Sequence, residues 1–390
     1  MIGDGGPMEG TAINVAEFFA GIGLVRTALE PLGVNVVWAN DIKEAKFDAY
    51  LANYPDAREH FKVRDIRLVK GESLPEGIEL ATSSFPCIDL SLAGNRVGLG
   101  GTQSGMFWQF ARVIKELPKK PRVVLLENVH GFATSHGGKD LADALHCLSG
   151  LGYSLDVLSV DARHFVPQSR PRMFIVGIDK EDLPKNAHVG VPEVSKARPA
   201  WVTAIHKAHH ESIAMHYLDL PALPDGPSDL NGVVEHDVSS AAWWDERRVK
   251  AFVDSLSDGQ LARFEALRSA NALSIRTAYR RTRKGVSMWE LRRDAIAGCL
   301  RTTGGGSSKQ ALVELGYTRE PRIRWMTPRE YANLMGATEY KLLAGTPNQQ
   351  MFGFGDAVVV DVVRWIGEHY LLPVLRPDNA AGDEEPAEAE

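Results

Sequence analysis

Short apolar runs alternate with segments of helical spacing over residues 13–178. INVAEFFAG reads as a first strand and LVRTALEPLG as the helix after it. VNVVWAND, IELATSSFP, RVVLLENV and RMFIVGID read as further strands. In MFWQFARVIKEL, Met106, Phe107, Phe110, Ala111, Ile114 and Leu117 recur at helical spacing, and Pro118 and Pro121 end that helix. Strands alternating with helices predict an α/β fold, a Rossmann-like mixed and mainly parallel sheet with helices on both faces. Ligands of such sheets bind at the carboxyl ends of the strands.

After about residue 180 the pattern changes to loop formers such as LPALPDGPSDLNG. One helical run is expected from Val249 to Leu267, and RTAYRRTRKG suits a strand or hairpin. Regular patterning resumes near Trp325. The organisation predicted is a flexible N-terminus over 1–12, one domain built from 13–179 and 318–376, a small inserted domain over 180–317, and a disordered acidic tail over 377–390.

Charge sharpens this division. The chain carries a formal −6, yet the last 14 residues hold six acids and no base, so the remainder is neutral. Residues 261–301 hold ten Lys or Arg against three acids, the local excess that a polyanion site needs. The adjacent Trp243 and Trp244 read as packing anchors. Cys87, Cys147 and Cys299 have neither disulfide-framework nor zinc spacing, and the latter two sit in apolar patterns as small core residues. No apolar run is long enough to span a bilayer, and MIGDGGPMEG lacks the features of a signal peptide, so a cytoplasmic place and no membrane partner are expected.

Four motifs carry candidate chemistry. FFAGIG at 18–23 is a glycine turn between strand and helix, where backbone can approach an anionic ligand. Asp41 ends the second strand, placed for a ribose, and Asp65-Ile66 follows, placed for an adenine. SSFPCIDLSLAG puts Pro86-Cys87 at a strand end, before a glycine-rich stretch that suits a lid. Glu127-Asn128 follows four apolar strand residues, and Arg170 and Arg172 stand at alternate positions before the next strand, so that both can point the same way.

In this order the motifs closely resemble those of the cytosine-5 DNA methyltransferases. The resemblance extends to Gln168 before the arginines, to RWMTPREYANLMG at 324–336 and to GFGDAVVVDVV at 353–363. It implies a class I methyltransferase fold whose insert, 180–317, is a target-recognition domain. It implies S-adenosyl-L-methionine as cofactor, S-adenosyl-L-homocysteine as product and no metal. The implied donor site comprises Phe19, Ala20, Gly21, Ile22, Gly23, Asp41, Ile42, Asp65, Ile66, Pro86, Asp356 and Ala357. The implied catalytic set is Cys87, Pro86, Glu127, Asn128, Arg170 and Arg172. Double-stranded DNA is the implied partner. Its expected contacts are Arg276, Tyr279, Arg280, Arg281, Arg283, Lys284, Arg292 and Arg293 on the insert, with Ser91 and Arg96 on the lid. Restriction or defence-system proteins are candidate partners, and a monomer close to the bacterial nucleoid is expected.

The chain departs from the family at Ile42, Ile88, Gln103 and Asp356, where Trp, Gln, Arg and Asn are usual. Asp356 is expected to face the donor's ammonium, to pair with a nearby Arg or Lys, or to cap a helix beginning near Val358. A transfer-RNA methyltransferase on the same scaffold is disfavoured by the missing Cys-Phe-Thr tripeptide and by an insert of about 140 residues. A non-catalytic DNA-binding regulator is disfavoured because Cys87 and Glu127 are kept. A nicotinamide dehydrogenase would leave the Pro-Cys, Glu-Asn-Val and paired-arginine set unexplained.

Overall fold

A computed structural model describes residues 12–86, 105–283, 285–302, 309–317 and 319–377. Cys87, Ile88, Ser91, Arg96, Gln103, Lys284, the acidic residues of the tail and most of the N-terminal segment lie outside the described residues, as does the side chain of Arg283. The chain divides into two compact units. Unit 1 is Met1–Val160, Pro171–Leu223 and Val362–Glu390; unit 2 is Asp161–Arg170 and Pro224–Asp361.

Unit 1 is organised on seven strands: β1 (Ile13–Phe18), β2 (Val34–Asp41), β3 (Phe61–Val63), β4 (Leu80–Ser83), β5 (Val123–Val129), β6 (Tyr153–Asp161) and β7 (Pro171–Asp179). Their order is β3-β2-β1-β4-β5-β7-β6. The pairings from β3 through β5 are parallel, and β7 runs antiparallel to β5. Helices α1 (Leu24–Leu29), α2 (Glu44–Asn53), α3 (Met106–Glu116), α4 (Lys139–Gly150) and α5 (Ala200–His209) accompany them. The strands are apolar on both sides because both sides are covered. Ala16 and Phe18 of β1 join Phe107, Phe110 and Ile114 of α3 and Leu145 of α4 in one cluster. Val36 and Ala39 of β2 join Tyr50 of α2 and Phe61 of β3 in another. α3 stops at Glu116, as the prolines behind it require.

Unit 2 holds a four-stranded sheet, ordered β11-β10-β8-β9, from β8 (Ser274–Arg283), β9 (Val286–Leu291), β10 (Gln310–Leu315) and β11 (Arg322–Trp325). All three pairings are antiparallel. The basic run is therefore the β8–β9 hairpin. Helices α6 (Glu246–Asp254) and α7 (Asp258–Arg268) cover one face through Phe252 and Phe264. These are two helices where the periodicity predicts one. Ser255 caps the first, and Ser257 and Asp258 open the second, breaking the run without breaking its apolar phase.

The limits of the two compact units run differently from those expected for the insert. Residues 180–223 belong to unit 1 because they satisfy a buried acid on β6. Asp156, fully buried, accepts from Arg198 Nη2 at 2.6 Å and from Tyr370 Oη at 2.9 Å, and it lies 3.1 Å from His206 Nε2. Burial alone would raise its pKa; Arg198 and His206 outweigh that and hold it near about 2. His216 joins through Tyr370 at 2.9 Å, and burial pushes it down to about 4, so it stays neutral. At the other end, residues 318–361 belong to unit 2, where β11 pairs with β10.

Candidate active site

In unit 1 the chain leaves β1 through a turn of unusual backbone. Phe19, Gly21 and Gly23 all have positive φ, at 55°, 58° and 85°. Glycine adopts this region freely; at Phe19 it costs energy, a strain that clusters at ligand sites. Gly23 is required twice over, since a Cβ there would stand 2.9 Å from the Tyr50 ring. Ala20 N donates to Asn40 O at 2.8 Å. Asp41, at the end of β2, is 6% exposed and accepts from Gly21 N at 3.1 Å and Lys43 N at 3.0 Å. Ile22 is buried, whereas Ile42 beside Asp41 is 60% exposed. The glycine turn and the second-strand acid are thus one structure.

Asp65 stands differently. It caps the turn Ile66–Leu68 by accepting from Arg67 N, and both its oxygens accept from the Arg67 side chain. Those hydrogen bonds hold its pKa below the usual carboxylate range. Ile66 is buried beneath it.

Beneath the glycine turn lies a carboxyl group that the motif reading misses. Glu17 on β1 is 1% exposed, and Tyr50 Oη donates to its Oε2 at 3.0 Å. Burial pushes its pKa up to about 8, so it is protonated at neutral pH. The signal available was an acid inside the apolar run INVAEFF.

At the next strand ends, β4 passes through Phe85, buried against Phe107 and Phe132, to Pro86. Asn128 at the end of β5 reaches across: its Nδ2 donates to Phe85 O at 3.3 Å, and its Oδ1 accepts from Val129 N at 2.8 Å. Asn128 therefore fastens the backbone two residues before Cys87 to the strand carrying Glu127. Glu127 is paired with Arg172 of β7, Nε to Oε1 at 2.9 Å, with side chains 11% and 15% exposed. Arg172 Nη1 also donates to Pro171 O.

Arg170 and Arg172 do not share a partner, although they alternate along the chain. Arg170 belongs to unit 2, where its guanidinium donates to Leu300 O at 3.0 Å, Gly355 O at 3.0 Å and Ala357 O at 2.6 Å. Gln168 is bound likewise, donating to Leu334 O and accepting from Leu300 N. The glutamine and first arginine of this motif are fasteners of backbone within unit 2. Cys299, expected as a plain core residue, lies 3.3 Å from Arg170 Nη1. Asp356 is exposed and Ala357 half-buried on the loop that Arg170 holds. The helix beyond begins at Val360, so Asp356 is too distant to be its N-cap.

On the β8–β9 hairpin, Arg276 and Tyr279 are half-buried and Arg280 is exposed. Arg281 pairs with Glu290 at 3.3 Å, and Arg292 pairs with Asp294 at 2.6 Å. Arg293 is exposed. Trp244 packs against Phe252, Trp289 and Trp325, whereas Trp243 lies under Arg322 at 3.9 Å.

A doubly covered, mainly parallel sheet with one antiparallel strand and a glycine turn after its first strand defines the fold of the S-adenosylmethionine-dependent methyltransferases. The chain belongs to the C-5 cytosine-specific DNA methylase family, whose profile matches residues 13–371. The Type II methyltransferase M.SsoII of Shigella sonnei is 32% identical over 192 residues, 49% of this chain and 49% of that protein. The Type II methyltransferase M.HhaI of Haemophilus parahaemolyticus is 29% identical over 167 residues, 43% and 49% respectively. The chain thus spans about half the length of the curated relatives it matches. Among solved structures, Entamoeba histolytica methyltransferase EhMeth superposes with a TM-score of 0.62 at 16% identity, covering 95% of this chain and 99% of that one. S. pombe Dnmt2 gives 0.57 at 16%, covering 94% and 100%. At those identities the likeness shows the fold alone. Among the described residues, no helix is long and apolar enough to cross a membrane.

Proposed function

We propose that the chain methylates carbon 5 of a cytosine flipped out of double-stranded DNA, with Cys87 adding transiently to carbon 6. The observation that best supports this is the Asn128 tether, which joins the backbone approaching Cys87 to the strand bearing Glu127 and its partner Arg172.

The residues after β1 and β2 fit S-adenosylmethionine. The glycines of the positive-φ turn let its methionine part approach the backbone without a side chain in the way. Asp41 suits a ribose hydroxyl, since its carboxylate, which accepts from Gly21 N and Lys43 N and pairs with Lys46 at 3.6 Å, still has a lone pair to offer. Exposed Ile42 suits the adenine face. Asp65 would meet the adenine amino group while shared with Arg67. Bound there, the donor supplies an electrophilic methyl group on a sulfonium.

Cytosine carbon 5 is too electron-poor to take that methyl unaided. The Cys87 thiolate forms a bond to carbon 6, and the displaced electron pair makes carbon 5 nucleophilic. Glu127, having taken up a proton from solvent, delivers it at ring N3 as that charge develops, help worth roughly 10²–10⁴-fold. Arg172 orients Glu127 and holds ring O2. Once carbon 5 carries the methyl group, loss of its proton to a base breaks the sulfur–carbon bond, and N3 returns its proton. Unstacking the cytosine costs a few kcal/mol, which Ser91 and Arg96 near the active cysteine would help to offset. The basic hairpin of unit 2 supplies DNA contacts. We place this activity in the cytoplasm, in a monomer, serving restriction–modification or phage defence.

Duplex DNA carrying 5-fluorocytosine tests the reading, because fluorine blocks the final elimination. With donor present, the wild-type chain should become irreversibly attached to it, and Cys87→Ala should not. A Cys87→Ala protein that still methylates carbon 5 at the wild-type rate would overturn the mechanism.

A further inference from the structure

The two ends of the sheet in unit 2 are built differently. Because β8 is antiparallel to both neighbours, its carboxyl end lies with the amino ends of β9 and β10 and the carboxyl end of β11. At this end Trp244, Trp289 and Trp325 touch one another, with ring centroids 5.3–5.5 Å apart. Three cations stand over these rings. Arg248 of α6 is 4.1 Å from the Trp244 centroid and 5.3 Å from that of Trp325. Lys309 is 5.7 Å from Trp325, and Arg280 is 5.8 Å from Trp289. At the far end of the sheet Arg322 also lies over a tryptophan, Trp243, but there it is paired with Glu314.

These cations differ from the rest of the basic run. Arg281 and Arg292 are neutralised by Glu290 and Asp294, whereas Arg248, Arg280 and Lys309 form no ion pair among the described residues. A tryptophan face fixes a cation in place without cancelling its charge. Arg248 also sits in the first turn of α6, where the helix dipole disfavours a cation, so helix stability does not account for it. Arg280 and Arg281 are successive strand residues on opposite faces, which is why one is held by the tryptophans and the other by Glu290.

We propose that Arg248, Arg280 and Lys309, set on the three tryptophans, form a surface that grips the phosphate backbone of double-stranded DNA. The proposal rests on the DNA reading above and narrows the basic run to part of one face, adding two residues outside it. A guanidinium or ammonium group held over a ring keeps N–H groups available to phosphate oxygens. Such contacts position a duplex without reading its sequence.

The test is fluorescence anisotropy of a labelled DNA duplex of arbitrary sequence, titrated with the full chain over a range of KCl. Replacing Arg248, Arg280 and Lys309 together by Gln should lower the slope of log affinity against log salt by about 2.7, or 0.9 per lost contact. Arg281→Gln with Arg292→Gln should change it far less. An unchanged slope in the triple variant, or an equal fall in the control pair, overturns the proposal. If the wild type meanwhile binds and methylates the duplex, the broader DNA reading stands. A wild type that binds no DNA duplex overturns both. A loss seen only with a structured RNA probe overturns the assignment to DNA. Should the triple variant melt early, Lys309→Gln alone should still lower the slope by about 0.9.

Discussion

Two Glu–Arg pairs, one in each unit, invite comparison. In unit 2, Arg324 and Glu330 are both fully buried and meet through two nitrogens and two oxygens. The same carboxylate accepts from Thr327 N at 2.8 Å and Glu235 N at 3.0 Å, and it completes the capping box of the helix Pro328–Leu334. Arg324 also donates to Glu235 O. In unit 1, Glu127 meets Arg172 at a strand end through Nε, and both side chains keep some exposure to solvent. The chemistry is the same and the settings are opposite. A pair sealed from water in this way can only hold the fold together. A pair at strand ends that keeps some exposure to solvent can reorganise around a substrate. Charge type alone does not separate the two; burial from solvent does.

The comparison can be broken by exchanging effects. Glu127→Gln should lower the methylation rate by roughly 10²–10⁴, equivalent to about 3–5 kcal/mol of barrier. Its melting temperature should stay close to wild type. If Glu127→Gln instead unfolds the protein with its rate per folded molecule intact, the pair at the strand end is structural after all.

Glu330→Ala should do the reverse. Leaving Arg324 buried and unpaired is expected to cost about 3–5 kcal/mol of stability, read by denaturant titration. A loss under about 1 kcal/mol would mean that this pair is solvated in solution and resembles an exposed one.

Glu17 sharpens the contrast, since it is buried without a cationic hydrogen-bond partner and responds by keeping its proton. Its folded pKa of about 8 lies above the unfolded value of 4.5. The native state therefore holds a proton that the unfolded state has lost between those values. The resulting stability is fully present below pH 4.5 and drains away as pH rises through about 8. Glu17→Gln keeps the hydrogen-bonding shape and cannot ionise. Its melting temperature relative to wild type should climb steadily from pH 5 to pH 9, and a flat difference would show that Glu17 is charged in the native protein.

The order of elements around FFAGIG, Asp41, the Pro-Cys pair and Glu127-Asn128 was legible in the sequence because each is local. A strand, a glycine turn and a polar residue at a strand end follow from periodicity and backbone preference over a few residues. The hairpin of β8 and β9 was legible for the same reason. Only the tertiary structure decided which carboxylates met which cations. Arg170 and Arg172 look equivalent along the chain, yet one fastens backbone at Leu300 and Ala357 and the other meets Glu127. The limits of the units were decided the same way. Asp156 needed Arg198, His206 and Tyr370, from positions far along the chain, before it could be buried ionised. Residues 180–223 accordingly belong with the sheet of unit 1 and not with the insert. Periodicity records which side of an element is apolar; it carries no record of the partner that a buried charge will find.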